Sequence, residues 1–78
     1  MKKVSIYSTS TCSFCHKAKD FFKENNVSFE DYDVGQDSGK RQEMIEKSGQ
    51  MGVPVIIVDD TIIVGFDETK LRDLLEIK

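Results

Sequence analysis

Two cysteines, Cys12 and Cys15, are the residues of this sequence best suited to chemistry. They are the chain's only cysteines, and a bond between them would close too small a loop to stabilise a fold. Hydroxyl residues precede the pair and an apolar helical pattern follows it, so the cysteines are predicted to begin a helix. At that position, free backbone N–H groups and the helix dipole favour a thiolate.

Cys12 is predicted to be the nucleophile, and Cys15, one turn deeper, the second thiol. Positions 4–19 contain no acidic residue, whereas three side chains after the pair can add positive charge: His16, Lys17 and Lys19. An ionised Cys12 would attack a disulfide sulfur and form a mixed disulfide. Cys15 would then resolve that bond, and the resulting Cys12–Cys15 disulfide would need an external reductant.

Other chemistries fit the same residues less well. The run from Cys12 to His16 matches the attachment motif of c-type haem, with Met44 or Met51 as a further ligand, but no export signal is expected. A structural zinc ion needs four ligands, and the chain has two cysteines and one histidine. Two interpretations stay open: an iron–sulfur cluster shared between two chains, and a buried, inert pair of thiols.

Composition and charge narrow the classes of function. The 78 residues are 38% hydrophobic and 32% charged, which predicts one globular domain over residues 1–78. A net charge of −3 without a basic stripe argues against nucleic acid as a partner. The first residues are basic but no apolar stretch follows them, so we expect no signal peptide and no membrane span. We therefore expect a cytoplasmic monomer.

Hydrophobic spacing in the first half of the chain predicts a strand, a helix and a second strand. The first strand covers 4–7, and the hydroxyl residues at 8–11 should cap a helix that ends near Asn25-Asn26. The second strand is expected over 27–34, with a bulge at 30–31. The buried face of the helix is predicted to comprise Phe14, Ala18, Phe21 and Phe22.

The second half of the chain should contain the remaining elements. A short helix is predicted over 41–48, with Gly49 at its C-terminal cap. The apolar runs at 55–58 and 61–64 predict strands that are covered on both faces. Asp59-Asp60, between these runs, predicts a tight hairpin turn.

These elements, in the order βαβαββα, predict an α/β fold with a four-stranded mixed sheet and three helices. The first two strands are joined through a helix and should be parallel, with a right-handed crossover. The last two strands form an antiparallel hairpin, and Asp67 or Thr69 should cap the last helix. The turn that carries the cysteines then lies at the carboxyl end of the first strand.

Four segments in this order form a specific combination: Cys12-Ser13-Phe14-Cys15-His16-Lys17-Ala18-Lys19, Glu43-Met44-Ile45 with Ser48-Gly49, Gly52-Val53-Pro54-Val55, and Gly65-Phe66-Asp67. Over nearly its whole length, the chain resembles the glutaredoxin family. The resemblance implies a thioredoxin-like (glutaredoxin) fold with a cis peptide bond before Pro54. It also implies a dithiol oxidoreductase that reduces protein disulfides or glutathione mixed disulfides, with glutathione as co-substrate and no tightly bound cofactor or metal.

The resemblance further implies where a thiol substrate binds. The main chain of Val53 would pair with extended glutathione or a peptide as a strand does. The turn at 65–67 would receive the charged γ-glutamyl end of glutathione. The full set of implied contacts is Thr11, Ser13, Phe14, Gln50, Val53, Pro54, Gly65, Phe66 and Asp67.

Two departures from the family pattern bear on the reductant. The lysine common three positions before the first cysteine is Thr9 here, which leaves Gln50 or Lys17 to receive the glycine carboxylate of glutathione. The usual second glycine of the family's Gly-Gly turn is Phe66 here. The second departure is similar to glutaredoxin-like electron donors of ribonucleotide reductase, and it implies a thioredoxin reductase as the alternative partner.

Overall fold

The computed structural model describes residues 3–77, and its elements confirm the predicted order βαβαββα. The strands are β1 (Val4–Ser8), β2 (Glu30–Asp33), β3 (Val55–Val58) and β4 (Thr61–Val64). The helices are α1 (Ser13–Glu24), α2 (Ser38–Ser48) and α3 (Glu68–Leu74). Residues 1, 2 and 78 of the predicted domain lie outside the described residues. Within residues 3–77, no helix is long and apolar enough to cross a membrane.

The four strands form one mixed sheet in the order β2-β1-β3-β4, which confirms the predicted fold class. β1 and β2 are parallel because α1 carries the chain back between them, and the other neighbouring pairs are antiparallel. Val55 pairs with Tyr7 on one side and with Val64 on the other. The segments that follow β1, precede β3 and follow β4 therefore meet at one end of the sheet.

Alternating side chains give the sheet two apolar faces. Ile6 points to the face covered by α1 and α3, where it belongs to one core cluster with Phe22 and Leu71. Tyr7, the next residue, points to the opposite face and belongs to a second cluster with Met44 of α2. The helices on both faces thus hold β1 and β3 in the interior. Because these strands are held in place, the loops at the ends of β1 and β3 have fixed positions.

A hydrogen-bonded cluster around Glu43 joins α2 to the sheet. The buried Tyr7 hydroxyl donates to Glu43 Oε1 at 2.7 Å, and the ammonium groups of Lys40 and Lys47 lie 3.2 and 3.1 Å from the same carboxylate. The Tyr7 hydrogen bond, followed by those of Lys47 and Lys40, lowers the pKa of Glu43 to about 2. Burial and then the bond to Glu43 raise the pKa of Tyr7 to about 12.

Two predicted element boundaries are wrong. β2 begins at Glu30, and the preceding residues close the end of α1, where the Val27 N–H donates to the Phe22 carbonyl at 2.8 Å. α2 begins at Ser38 instead of 41, because the Asp37 side chain accepts the N–H of Lys40 as an N-cap. In both places a local polar contact, and not the hydrophobic spacing, sets where the element starts.

Two predictions of burial are also wrong. β4 is an edge strand, and its Ile62 and Val64 are 39% and 51% exposed, so this strand is not covered on both faces. Phe14 is 56% exposed. It has nearly the angular position of Phe21 on α1 but lies two turns closer to the helix N-terminus, beyond the core, and Cys15 is the buried residue there.

The Glu43→Gln variant should lose stability in a pH-dependent way. Because the folded state lowers the pKa of Glu43 from 4.5 to about 2, the unfolded chain takes up a proton first as the pH falls. The stabilisation by the ionised carboxylate is present above the unfolded pKa and disappears as the pH falls towards 2. Urea unfolding should therefore show a lower midpoint for the variant at neutral pH, and the difference should vanish in acid.

Glu46→Gln is the matched control, since it removes the same charge from an exposed position on the same helix. Its midpoint should follow the wild type across the pH range. A Glu43→Gln deficit of constant size at every pH would contradict the prediction.

Candidate active site

Cys12 is the N-cap residue of α1 and has an extended backbone, with φ −91° and ψ 112°. Its Sγ accepts the backbone N–H of Cys15 at 3.2 Å. The helix therefore begins at the cysteines as predicted, but the expected hydroxyl cap at 8–11 is wrong, because the sulfur itself is the cap. An N–H donor and the positive end of the helix dipole both stabilise negative charge on this partly exposed sulfur.

Cys15 has a different environment from Cys12, although both are free thiols. Its side chain is fully buried on the face of α1 that packs against the sheet. Burial is the largest cause that raises the pKa of Cys15 to about 12, and the hydrogen bond with Cys12 adds to it. The backbone of Thr9 and the charge of Lys19 act in the opposite direction. Cys15 is thus a buried, protonated thiol next to a partly exposed sulfur.

The turn between β1 and α1 is held by contacts on both of its sides. The Cys12 N–H donates to the Thr9 carbonyl at 3.4 Å, and the His16 Nε2 lies 3.0 Å from the Ser10 carbonyl, to which it donates as the Nε2–H tautomer. Gly35, after β2, lies beside Thr9, since an added Cβ would be in ordinary van der Waals contact with the Thr9 methyl group at 3.5 Å. His16 therefore supports the turn through this hydrogen bond.

The segment before β3 lies beside this turn, because Tyr7 near the end of β1 pairs with Val55. The Val53-Pro54 peptide bond is cis, as the family resemblance implies. Pro54 is buried and Val53 is half-buried. The Gly65 N–H donates to the Pro54 carbonyl at 2.8 Å, and Gly65 has a left-handed φ of 86°, which suits glycine. The turn after β4 is thereby tied to the cis peptide.

The structure places every residue of the predicted site in one of three segments, 9–15, 50–54 and 65–67, at the same end of the sheet. Several of these side chains already have partners in the protein. Asp67 is the N-cap of α3 and accepts the Lys70 N–H at 3.1 Å. The Phe66 ring packs edge-to-face on Phe21, with centroids 5.8 Å apart. Gln50 Nε2 donates to the Gly52 carbonyl at 3.5 Å.

The remaining members of that set present exposed side chains around Cys12: Thr11, Ser13 and Phe14. Lys17 lies over the Phe14 ring, with its ammonium 5.2 Å from the centroid. In residues 3–77, no three histidine, cysteine or carboxylate side chains come together as a metal site.

Sequence reasoning missed a polar group behind Cys15. Lys19 forms an ion pair with Asp31, and Ser8 donates a hydrogen bond to the same carboxylate. The spacing of four residues between Cys15 and Lys19 was a usable signal, because it puts both on one side of a helix. The role of Asp31 depends on the register of β2 against β1, which hydrophobic spacing does not reveal.

The sheet order, the cysteine pair that begins α1 and the cis-proline before β3 together define a protein with a thioredoxin-like fold. Within that fold class, the chain belongs to the glutaredoxin family. The family model described as Glutaredoxin matches residues 4–63.

Similar proteins agree with this assignment. The chain is 45% identical to an uncharacterized glutaredoxin-like 8.6 kDa protein in the rubredoxin operon of Clostridium pasteurianum, over 94% of this chain and 97% of the relative. It is 40% identical to glutaredoxin 3 of Escherichia coli K12, over 94% of this chain and 88% of the relative. The solved structure of a glutaredoxin from Archaeoglobus fulgidus is similar with a TM-score of 0.85 and 29% identity, covering 96% of this chain and 87% of that one.

Iodoacetamide at neutral pH should modify Cys12 first. Cys15 should react roughly a hundredfold more slowly than cysteine in a free peptide, because it is buried and its raised pKa leaves little thiolate. Peptide mapping by mass spectrometry over a time course measures both rates. In the Cys12→Ser variant, urea should restore the free-peptide rate at Cys15. Equal labelling of both cysteines in the folded protein would contradict the conclusion that Cys15 is buried and protonated.

Proposed function

We propose that this chain is a dithiol thiol–disulfide oxidoreductase that reduces protein disulfides and mixed disulfides of glutathione. One observation carries the proposal: the Cys15 N–H is directed at the Cys12 sulfur, which is partly exposed and has a second free thiol three residues away. Membership of the glutaredoxin family supports the same class of reaction.

The reaction uses the two thiols in sequence. The Cys12 thiolate attacks one sulfur of the substrate disulfide, a bond forms between them, and the other substrate sulfur leaves as a thiolate. Once Cys12 is part of that mixed disulfide, it no longer raises the pKa of Cys15 as a charged neighbour. Cys15 then attacks Cys12 Sγ and releases the second substrate thiol, leaving the Cys12–Cys15 disulfide for reduction.

Glutathione is the proposed co-substrate. The main chain of Val53, half-buried beside the cis peptide, would pair with its extended backbone, and the turn at 65–67 would receive its γ-glutamyl end. These segments lie at the same end of the sheet as Cys12, which supports the proposal. We assign the reaction to the cytoplasm, where thiols are kept reduced, and to a monomer with one domain.

A thioredoxin reductase is the second candidate for the reductant. Position 9 is a half-buried threonine beside Gly35, so the cation that this family commonly offers to the glycine carboxylate of glutathione is missing there. Phe66, which stands in for the usual second glycine of the turn, packs on Phe21.

A turnover assay with a small mixed disulfide tests the proposed function. NADPH consumption is compared with glutathione plus glutathione reductase and with thioredoxin reductase alone. We expect turnover with the glutathione system, and turnover with thioredoxin reductase alone would identify the second reductant. Failure of both systems would refute the oxidoreductase assignment. Cys12→Ser should abolish activity with either reductant.

Cys15→Ser should separate the two substrate classes. Deglutathionylation needs one thiol and should stay within about threefold of wild type, whereas reduction of a protein disulfide needs both and should fall by at least about a hundredfold. Release of glutathione from a labelled peptide and loss of a protein disulfide on non-reducing gels measure the two activities. Equal losses in both assays would contradict the assignment of Cys15 as the resolving thiol.

A further inference from the structure

Behind Cys15, three side chains outside the predicted site form a connected group. Lys19 Nζ lies 2.8 Å from Asp31 Oδ2. The Ser8 hydroxyl donates to Asp31 Oδ1 at 2.8 Å. Ser8 is 1% exposed, and the side chains of Lys19 and Asp31 are 18% and 39% exposed, so the ammonium is the better-buried partner of this ion pair.

The topology places this group next to the buried thiol. Lys19 follows Cys15 by four residues and is one turn further along the same side of α1. Asp31 is opposite Ile6 in the parallel β1–β2 ladder, and Ile6 points to the face that α1 covers. Ser8 is two residues after Ile6 and therefore points to the same face. The two strands thus hold the Lys19 ammonium at Asp31, on the side of α1 that carries Cys15.

The charge of Lys19 opposes the other influences on Cys15. Burial and Cys12 disfavour the Cys15 thiolate, whereas the Thr9 backbone and the Lys19 ammonium favour it. Of the other elements packed here, β2 contributes Asp31, which is paired with Lys19, and the residues of β1 and β3 are uncharged. Lys19 is therefore a positive side chain that, together with the Thr9 backbone, favours ionisation of this buried thiol.

We propose that Lys19, held in place by Asp31 and Ser8, is a positioning residue for the second step of the reaction; the inference rests on the proposed function. In that step Cys15 loses its proton to solvent, and its thiolate attacks Cys12 Sγ in the mixed disulfide. The Cys12–Cys15 bond forms as the bond from Cys12 to the substrate sulfur breaks, and the substrate thiolate takes a proton from solvent. The Lys19 ammonium stabilises the Cys15 thiolate that must exist before this attack.

Reaction with dithiobis(nitrobenzoic acid) separates the two steps in the intact protein. The first nitrothiobenzoate is released when Cys12 attacks, at a rate proportional to reagent concentration. The second is released when Cys15 resolves the mixed disulfide, at a rate independent of reagent concentration. Absorbance in a stopped-flow instrument records both phases, and their pH profiles report the ionisation of each attacking thiol.

Lys19→Met removes the charge and keeps a long unbranched side chain. It should slow the second phase by about tenfold at neutral pH and move the pH profile of that phase upward by about one unit. Lys19→Arg keeps the charge and the ion pair and should restore the wild-type profile. Lys23→Met is the matched control, since it removes the same charge from an exposed position in the last turn of α1. Its second phase should stay within about twofold of wild type.

Other outcomes would overturn the proposal. They are a Lys19→Met second phase within about twofold of wild type at every pH, an equal effect of Lys23→Met, or no rescue by Lys19→Arg. Circular dichroism and a normal first phase show that a variant is folded, and Lys19→Gln replaces Lys19→Met if that variant does not fold. Absence of the first phase in the wild type would instead refute the proposed function.

Discussion

The contact between the Cys15 N–H and the Cys12 sulfur is the interaction on which the rest of this molecule's chemistry depends. It exists because Cys12 is the N-cap of α1, and the burial of Phe21 and Phe22 near the other end of that helix holds α1 against the sheet. The core thereby determines where the free N–H groups of the helix end are directed. A helix that began one residue later would offer these donors to a different side chain.

The same packing makes two chemically identical side chains unequal. One sulfur is at the open end of α1, where reagents and disulfides reach it, and the other is fully buried on the apolar face of that helix. Burial excludes reagents from the second thiol and keeps it protonated. This state suits Cys15 only until Cys12 has formed a mixed disulfide, because Cys15 must then ionise and attack. The Lys19 ammonium, paired with Asp31, and the Thr9 backbone are the two groups that favour the thiolate of this buried cysteine, which its proposed role in the second step requires.

Strand register, and not sequence proximity, assembles the rest of the site. Val55 pairs with both Tyr7 and Val64, so the segments around the cysteines, the cis-proline and the last turn are neighbours although at least 35 positions separate the first from the others. The hydrogen bond from Gly65 to Pro54 ties two of these segments directly.

The sequence by itself determined the features that depend on local physics: the cysteine pair at a helix start, the apolar strands at 55–58 and 61–64, and the order of the seven elements. These follow from spacing and from the donors of a helix end. Only the tertiary structure decided three other features: which strands lie at the edges of the sheet, the exposure of Phe14, and the ion pair between Asp31 and Lys19. Exposure and long-range pairing depend on which elements come to lie side by side, and hydrophobic spacing along one element does not contain that information.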